Sequence, residues 1–114
     1  MASRYGKKFD QLLRDLRREC PLEAPIKVIT CDLRKAKLCG NCIAYLTPRG
    51  KIERFVIEID KNIPYVTAID TLLHEWAHAM DKEANGIPSE PHRNSWGVCY
   101  ARVWRVYINS GTDS

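Results

Sequence analysis

The sequence predicts an α+β fold: an N-terminal helix, three short strands in a small, mostly antiparallel sheet, and two further helices packed with it. Three observations carry this expectation. Apolar residues recur with helical spacing near both ends of the chain. They alternate with strand spacing in the middle. Proline, glycine and asparagine mark the boundaries between the two patterns.

Phe9, Leu12, Leu13 and Leu16 follow the i, i+3, i+4, i+7 rule of an amphipathic helix, with Lys7, Lys8, Arg14, Arg17 and Arg18 on its other faces. Pro21 stops it. Residues 26–30, "IKVIT", are rich in β-branched side chains and predict a first strand. After an irregular stretch, "CIAYLT" at 42–47 predicts a second strand, and "PRGK" a turn. In "IERFVIEI", residues 52–59, Phe55, Ile57 and Ile59 share one face while Arg54, Val56 and Glu58 share the other, as in the return strand of a hairpin.

A second helix is expected from about Tyr65 to Ala84, with Asn85 and Gly86 forming a left-handed cap. Ser89 is the expected N-cap of a last helix reaching about Asn109, with Pro91 in its first turn.

Composition narrows the class. A chain of 114 residues, 45% hydrophobic and 28% charged, suits one soluble globular domain over 1–114. No stretch has transmembrane length and the N-terminus carries no signal-like apolar run, so an intracellular, cytoplasmic location without a membrane partner is expected. Five cysteines, an odd number, argue for reduced thiols rather than a disulfide framework. Charge is uneven: residues 1–51 hold 12 Lys/Arg against 5 Asp/Glu, and residues 52–114 hold 6 against 9. The basic first half suits DNA or an acidic partner, or is a solvated helix face.

The chemistry centres on residues 71–81, "TLLHEWAHAMD". Ile69, Leu72, Leu73, Trp76 and Met80 form one helical stripe. At about 100° per residue, His74 and His78 centre roughly 160° from it, pointing away from the core. Two imidazoles one turn apart can share a metal ion, and Glu75 flanks the pair where a general base belongs. His92, the third of only three histidines, is the favoured third ligand, with Glu90 as the alternative. Metzincin spacing is absent, because Asp81 and Ala84 hold the glycine and histidine positions. Asp70 and Asp81 share the histidine side of the helix. Each either accepts a hydrogen bond from a ligand imidazole or is a solvated charge.

The segments "LLHEWAHAMD" and "EPHRNSW" resemble the SprT-like metalloprotease family, to which the eukaryotic Spartan protease belongs. His74, Glu75, His78, His92 and Trp96 occupy the motif positions, and the likeness runs over roughly residues 20 to 108, including "KLCGNCIAYL". Arg93 stands where the family often has glycine, and Spartan's separate nucleic-acid-binding and zinc-finger segments have no counterpart in the matched stretch. The resemblance implies a minimal zincin-like metallopeptidase. In it His74, His78 and His92 hold one Zn²⁺, and Glu75 activates the water that attacks a peptide carbonyl. It also implies a protein substrate associated with DNA.

Arg93, Tyr100 and Tyr45 are candidate oxyanion donors, and strand 52–59 would bind substrate if it lies at the sheet edge. Cys39 and Cys42 are expected to mark a turn or the start of a strand, with structural metal binding or redox chemistry, involving Cys31, as the alternatives. Cys99 is expected in the core with Trp96 and Val103. Two other functions fit the same residues: a non-catalytic zinc-stabilised module that binds nucleic acid or protein, and a zinc hydrolase acting on a non-peptide bond.

Overall fold

The computed structural model describes residues 5–87 and 92–110. It is an α+β arrangement in the order α1 (Lys7–Glu19), β1 (Ile26–Cys31), β2 (Gly40–Leu46), β3 (Ile52–Asp60), α2 (Tyr65–Asn85) and α3 (Asn94–Ser110). Phe9, Leu12 and Leu16 of α1 are buried, as the helical spacing requires. Ile69, Leu72, Leu73, Trp76 and Met80 of α2 are buried too. The Trp76 indole donates to the Cys20 carbonyl at 3.1 Å, fastening α2 to the end of α1.

The sheet differs from the expectation of a mostly antiparallel one. Its order is β1-β3-β2, with β2 antiparallel and β1 parallel to β3, so it is evenly mixed. The hairpin was readable because its turn is local: Gly50 lies at φ 83° and donates to the Thr47 carbonyl. The side of β3 that β1 joins, and in which direction, depends on pairing between distant residues, which alternation does not encode. A second correction follows. Strand 52–59 is the central strand, with both sides paired, and cannot take a substrate strand at its edge. The edges belong to β1 and β2.

β2 begins at Gly40, earlier than the sequence predicted, so the Cys39–Cys42 segment is indeed the start of a strand. Cys39 is exposed and Cys42 buried, and no cysteine joins a metal-ligating group among the described residues. Cys99 is half-buried beside the core that contains Val103.

Two helix ends also differ. Gly86 has a positive φ of 82° but a ψ of 174°, so it closes α2 in an extended rather than a left-handed conformation. α3 starts at Asn94, and His92 therefore sits in a turn ahead of the helix rather than in its first turn. Ser89, Glu90 and Pro91 lie outside the described residues. No helix among the described residues is long and apolar enough to cross a membrane.

One contact sets how closely the sheet approaches α2. A methyl group on Gly40 would stand 2.3 Å from Thr71 Cγ2, 3.0 Å from the Glu58 carbonyl oxygen and 3.4 Å from Glu75 Cγ. β2 passes α2 at this separation only because residue 40 has no side chain. Gly40→Ala should therefore destabilise the fold by about 1–3 kcal/mol, measured by denaturant unfolding. An unchanged midpoint would show that Thr71 can yield at no cost.

Candidate metal centre

α2 carries two opposed faces. Its apolar stripe lies against the sheet, and His74 and His78 lie on the far side, as the 3.6-residue period dictates. That far side points away from the sheet but is covered. α3 packs over it, leaving His78 only 8% exposed and His74 half-buried. The cover is Trp96. Its indole stacks on His78 with ring centroids 5.3 Å apart and reaches the His74 carbonyl at 3.4 Å. His92, from the turn before α3, closes the third side and remains exposed.

The three imidazoles converge on one point. His78 Nε2 and His92 Nε2 each lie 3.1 Å from His74 Nε2. The three ligand atoms all fall within 4.8 Å of one another. A tetrahedral ion with bonds of about 2.0–2.1 Å needs nitrogens roughly 3.3–3.4 Å apart, so the spacing is close to that of a ligand set. The donor set fits a metal ion, with His74, His78 and His92 as its holders.

Electrostatics favour the ligand form of His74 and His78. Burial, followed by the neighbouring His74, His92 and Lys82, pushes His78 down to about 4. His74 is lowered by burial and by His92, against an opposing pull from Asp70. Neutral rings at pH 7 offer lone pairs rather than protons.

Glu75 lies on the sheet side of the cluster, against Gly40, and is 8% exposed. Among the described residues its carboxylate accepts no hydrogen bond, and burial pushes it up to about 7, with Lys82 pulling the other way. A carboxyl with that pKa and no hydrogen-bond partner among the described residues is suited to taking and returning a proton near neutral pH.

The two aspartates do not hold the ligand rings. Asp70 accepts from the Tyr100 hydroxyl at 2.8 Å. Asp81, 1% exposed, accepts from Arg93 Nε at 3.0 Å and from Asn85 at 2.9 Å. Arg93 also donates to the Gly86 carbonyl, so it ties the turn carrying His92 to the end of α2. That structural employment explains an arginine beside the third histidine. It also leaves Arg93 poorly placed as an oxyanion donor. Tyr45 lies under Arg54 at 3.8 Å on the sheet. Of the two tyrosines, Tyr100 is the one beside the cluster, with its ring 6.2 Å from His74 and stacked on Trp96.

The sequence reading missed Lys82. It lies one turn beyond His78, and its ammonium donates to the Cys42 carbonyl on β2 at 2.9 Å. Its spacing from His78 was the available signal, but a lysine near a helix end is ordinarily a solvated charge.

Glu75 generates a pH-dependent outcome in the metal-free protein. Its folded pKa is raised from 4.5 to about 7, so the folded state binds the proton more tightly than the unfolded state. The destabilisation from burying its charge is absent below about pH 4 and grows as pH rises towards 7. Chelator-treated Glu75→Gln should thus match the unsubstituted protein near pH 4 and exceed it above pH 7, by on the order of 1–3 kcal/mol. Parallel stability curves across pH 4–8 would contradict the raised pKa. No protein-family model, curated protein or solved structure matches this chain.

Proposed function

We propose that this chain is a zinc-dependent metallopeptidase of the SprT-like, zincin type, acting on proteins associated with DNA. The observation that carries the reading is the convergence of three imidazole nitrogens with a largely buried carboxylate beside them, at the start of an edge strand, that accepts no hydrogen bond from the described residues. Three histidines suit zinc and leave a coordination position open for chemistry. A purely structural site has no use for a carboxylate placed where burial penalises its charge, which costs stability in the absence of a reaction.

When bound, zinc would polarise a carbonyl and lower the pKa of water toward 7. The chain's own residues do the rest. His74, His78 and His92 hold the ion, and Trp96 keeps bulk water from the His78 side. Glu75 takes the proton of the attacking water and passes it to the departing amine nitrogen. Tyr100 is the donor available to the oxyanion, provided its hydroxyl turns from Asp70. β2, not β3, presents the open edge on which an extended peptide can lie.

Two outcomes test the reading. The protein should carry one zinc per chain, removable by chelator, and His92→Ala should weaken zinc binding by more than about 100-fold. Zinc-loaded Glu75→Gln should keep its ion and lose roughly 10²–10⁴ in peptide hydrolysis. Undiminished hydrolysis by that variant would sink the assignment of the base.

The DNA association rests on the basic first half. Lys7, Lys8 and Arg14 are exposed on α1. Arg17 and Arg18 are exposed as well, but Arg17 caps the Ile26 carbonyl and Arg18 pairs with buried Asp15. Charge reversal is thus informative only at the first three. Binding to duplex DNA should weaken steeply with salt, since each neutralised phosphate releases counterion. It should be lost in Lys7→Glu/Lys8→Glu/Arg14→Glu with zinc content unchanged. Binding that ignores salt, or survives the triple change, would remove DNA from the proposal.

A further inference from the structure

The register of the sheet shows which backbone groups of β2 are open. Gly40 pairs with Ile59, so Cys39 stands opposite Asp60, and Asp60 N–H donates to the Cys39 carbonyl at 2.8 Å. In an antiparallel ladder such bonded pairs alternate with unbonded ones. Residues 39, 41, 43 and 45 therefore face β3, while Gly40, Cys42 and Ala44 turn their N–H and C=O groups to the open edge. The Lys82 ammonium takes one of these outward groups, the Cys42 carbonyl.

That places a cation on the edge next to the candidate centre. Gly40 lies against Glu75, and Cys42 is two residues further on, about 7 Å at the rise of a strand. Lys82 is half-buried, and its charge is felt by both Glu75 and His78. Arg93, the other cation near the cluster, is occupied by Asp81 and the Gly86 carbonyl. An ammonium has three donors, and Cys42 uses one.

We propose that Lys82 selects the substrate: its ammonium binds a carboxylate carried within about two residues of the peptide bond presented to Glu75, so the site takes a locally acidic peptide over a basic one. This rests on the peptidase reading given above. A strand docking on β2 needs the outward groups of Gly40 and Cys42, and its arrival competes with Lys82 for the Cys42 carbonyl. A carboxylate on the incoming strand gives the displaced ammonium a charged acceptor in a partly desolvated place, where such a bond is strong. A lysine or arginine there meets a like charge. The selection acts on one side chain, not on the net charge of the substrate protein.

Edge protection is the competing role, since a cation set over the open carbonyl of an edge strand discourages pairing with other chains. Arg17 does this at the other edge, where it donates to the Ile26 carbonyl. Edge protection alone is blind to the sign of the ligand's charge, and that difference decides the experiment.

The binding arm uses zinc-loaded, full-length Glu75→Gln and fluorescent peptides that differ at one residue, Glu, Gln or Lys, moved through successive positions. By fluorescence anisotropy, the Glu peptide should bind about tenfold or more tighter than the Lys peptide at one or two adjacent positions. Adding Lys82→Met should erase the preference, Lys82→Glu should invert it, and Lys82→Arg should keep it. Zinc content and melting temperature of each variant identify any that misfold, and Lys82→Arg preserves the test if Lys82→Met does so. Equal binding of the Glu and Lys peptides, a preference that survives Lys82→Met, or no binding of any peptide would overturn the proposal. A hydrolysis arm with Glu75 intact separates the two readings. Cleavage of acidic and basic peptides alike overturns the role of Lys82 alone. Lys82-dependent binding without any cleavage overturns the peptidase reading and leaves the acidic-peptide site.

Discussion

Trp76 and its apolar neighbours hold α2 on the sheet, while Trp96 from α3 closes over the opposite side of the same helix. A helix buried on both sides has no freedom to roll, so the histidines and Glu75 keep fixed directions relative to β2 and to the turn before α3. The packing is ordinary core physics, with each large apolar side chain contributing about 1.5–3 kcal/mol on burial. What it secures is an arrangement that would otherwise be unfavourable: imidazoles crowded nitrogen to nitrogen, and a largely buried carboxylate that accepts no hydrogen bond from the described residues.

That unfavourable arrangement links stability to ligand binding. Without an ion, three ring nitrogens share one small volume, and burial and repulsion between neighbouring charges favour the neutral forms of His74 and His78. A cation held by His74, His78 and His92 would take up these lone pairs and offset the charge of Glu75, so its binding would be coupled to folding. The Arg93–Asp81 pair, with Asp81 almost wholly buried, contributes from the side by anchoring the chain segment on which His92 arrives.

Much of this was legible in the sequence. The helical stripe of α1, the hairpin of β2 and β3, the orientation of the histidine face and the choice of His92 all follow from periodicity, turn residues and the scarcity of histidine. Each depends on residues close together in the chain or on residue type alone. Partners that depend on distant segments were not legible. Asp70 and Asp81 looked like supports for the ligand rings, and instead serve Tyr100 and Arg93. Arg17 and Arg18 looked like free surface charge, and instead hold Ile26 and Asp15.

The local elements, the face of α2 that carries His74 and His78 and the residue types on it are set by the sequence, because a helix places side chains by a fixed rotation per residue. The tertiary structure decided which strand is central and which is an edge, and that the histidine face lies under Trp96. It also decided that β2 runs against Glu75 at Gly40 and that Lys82 reaches the carbonyl of Cys42. Those are pairings between segments far apart in the chain. Many pairings satisfy the same alternation of apolar and polar residues, and only the joint packing of sheet and helices selects one.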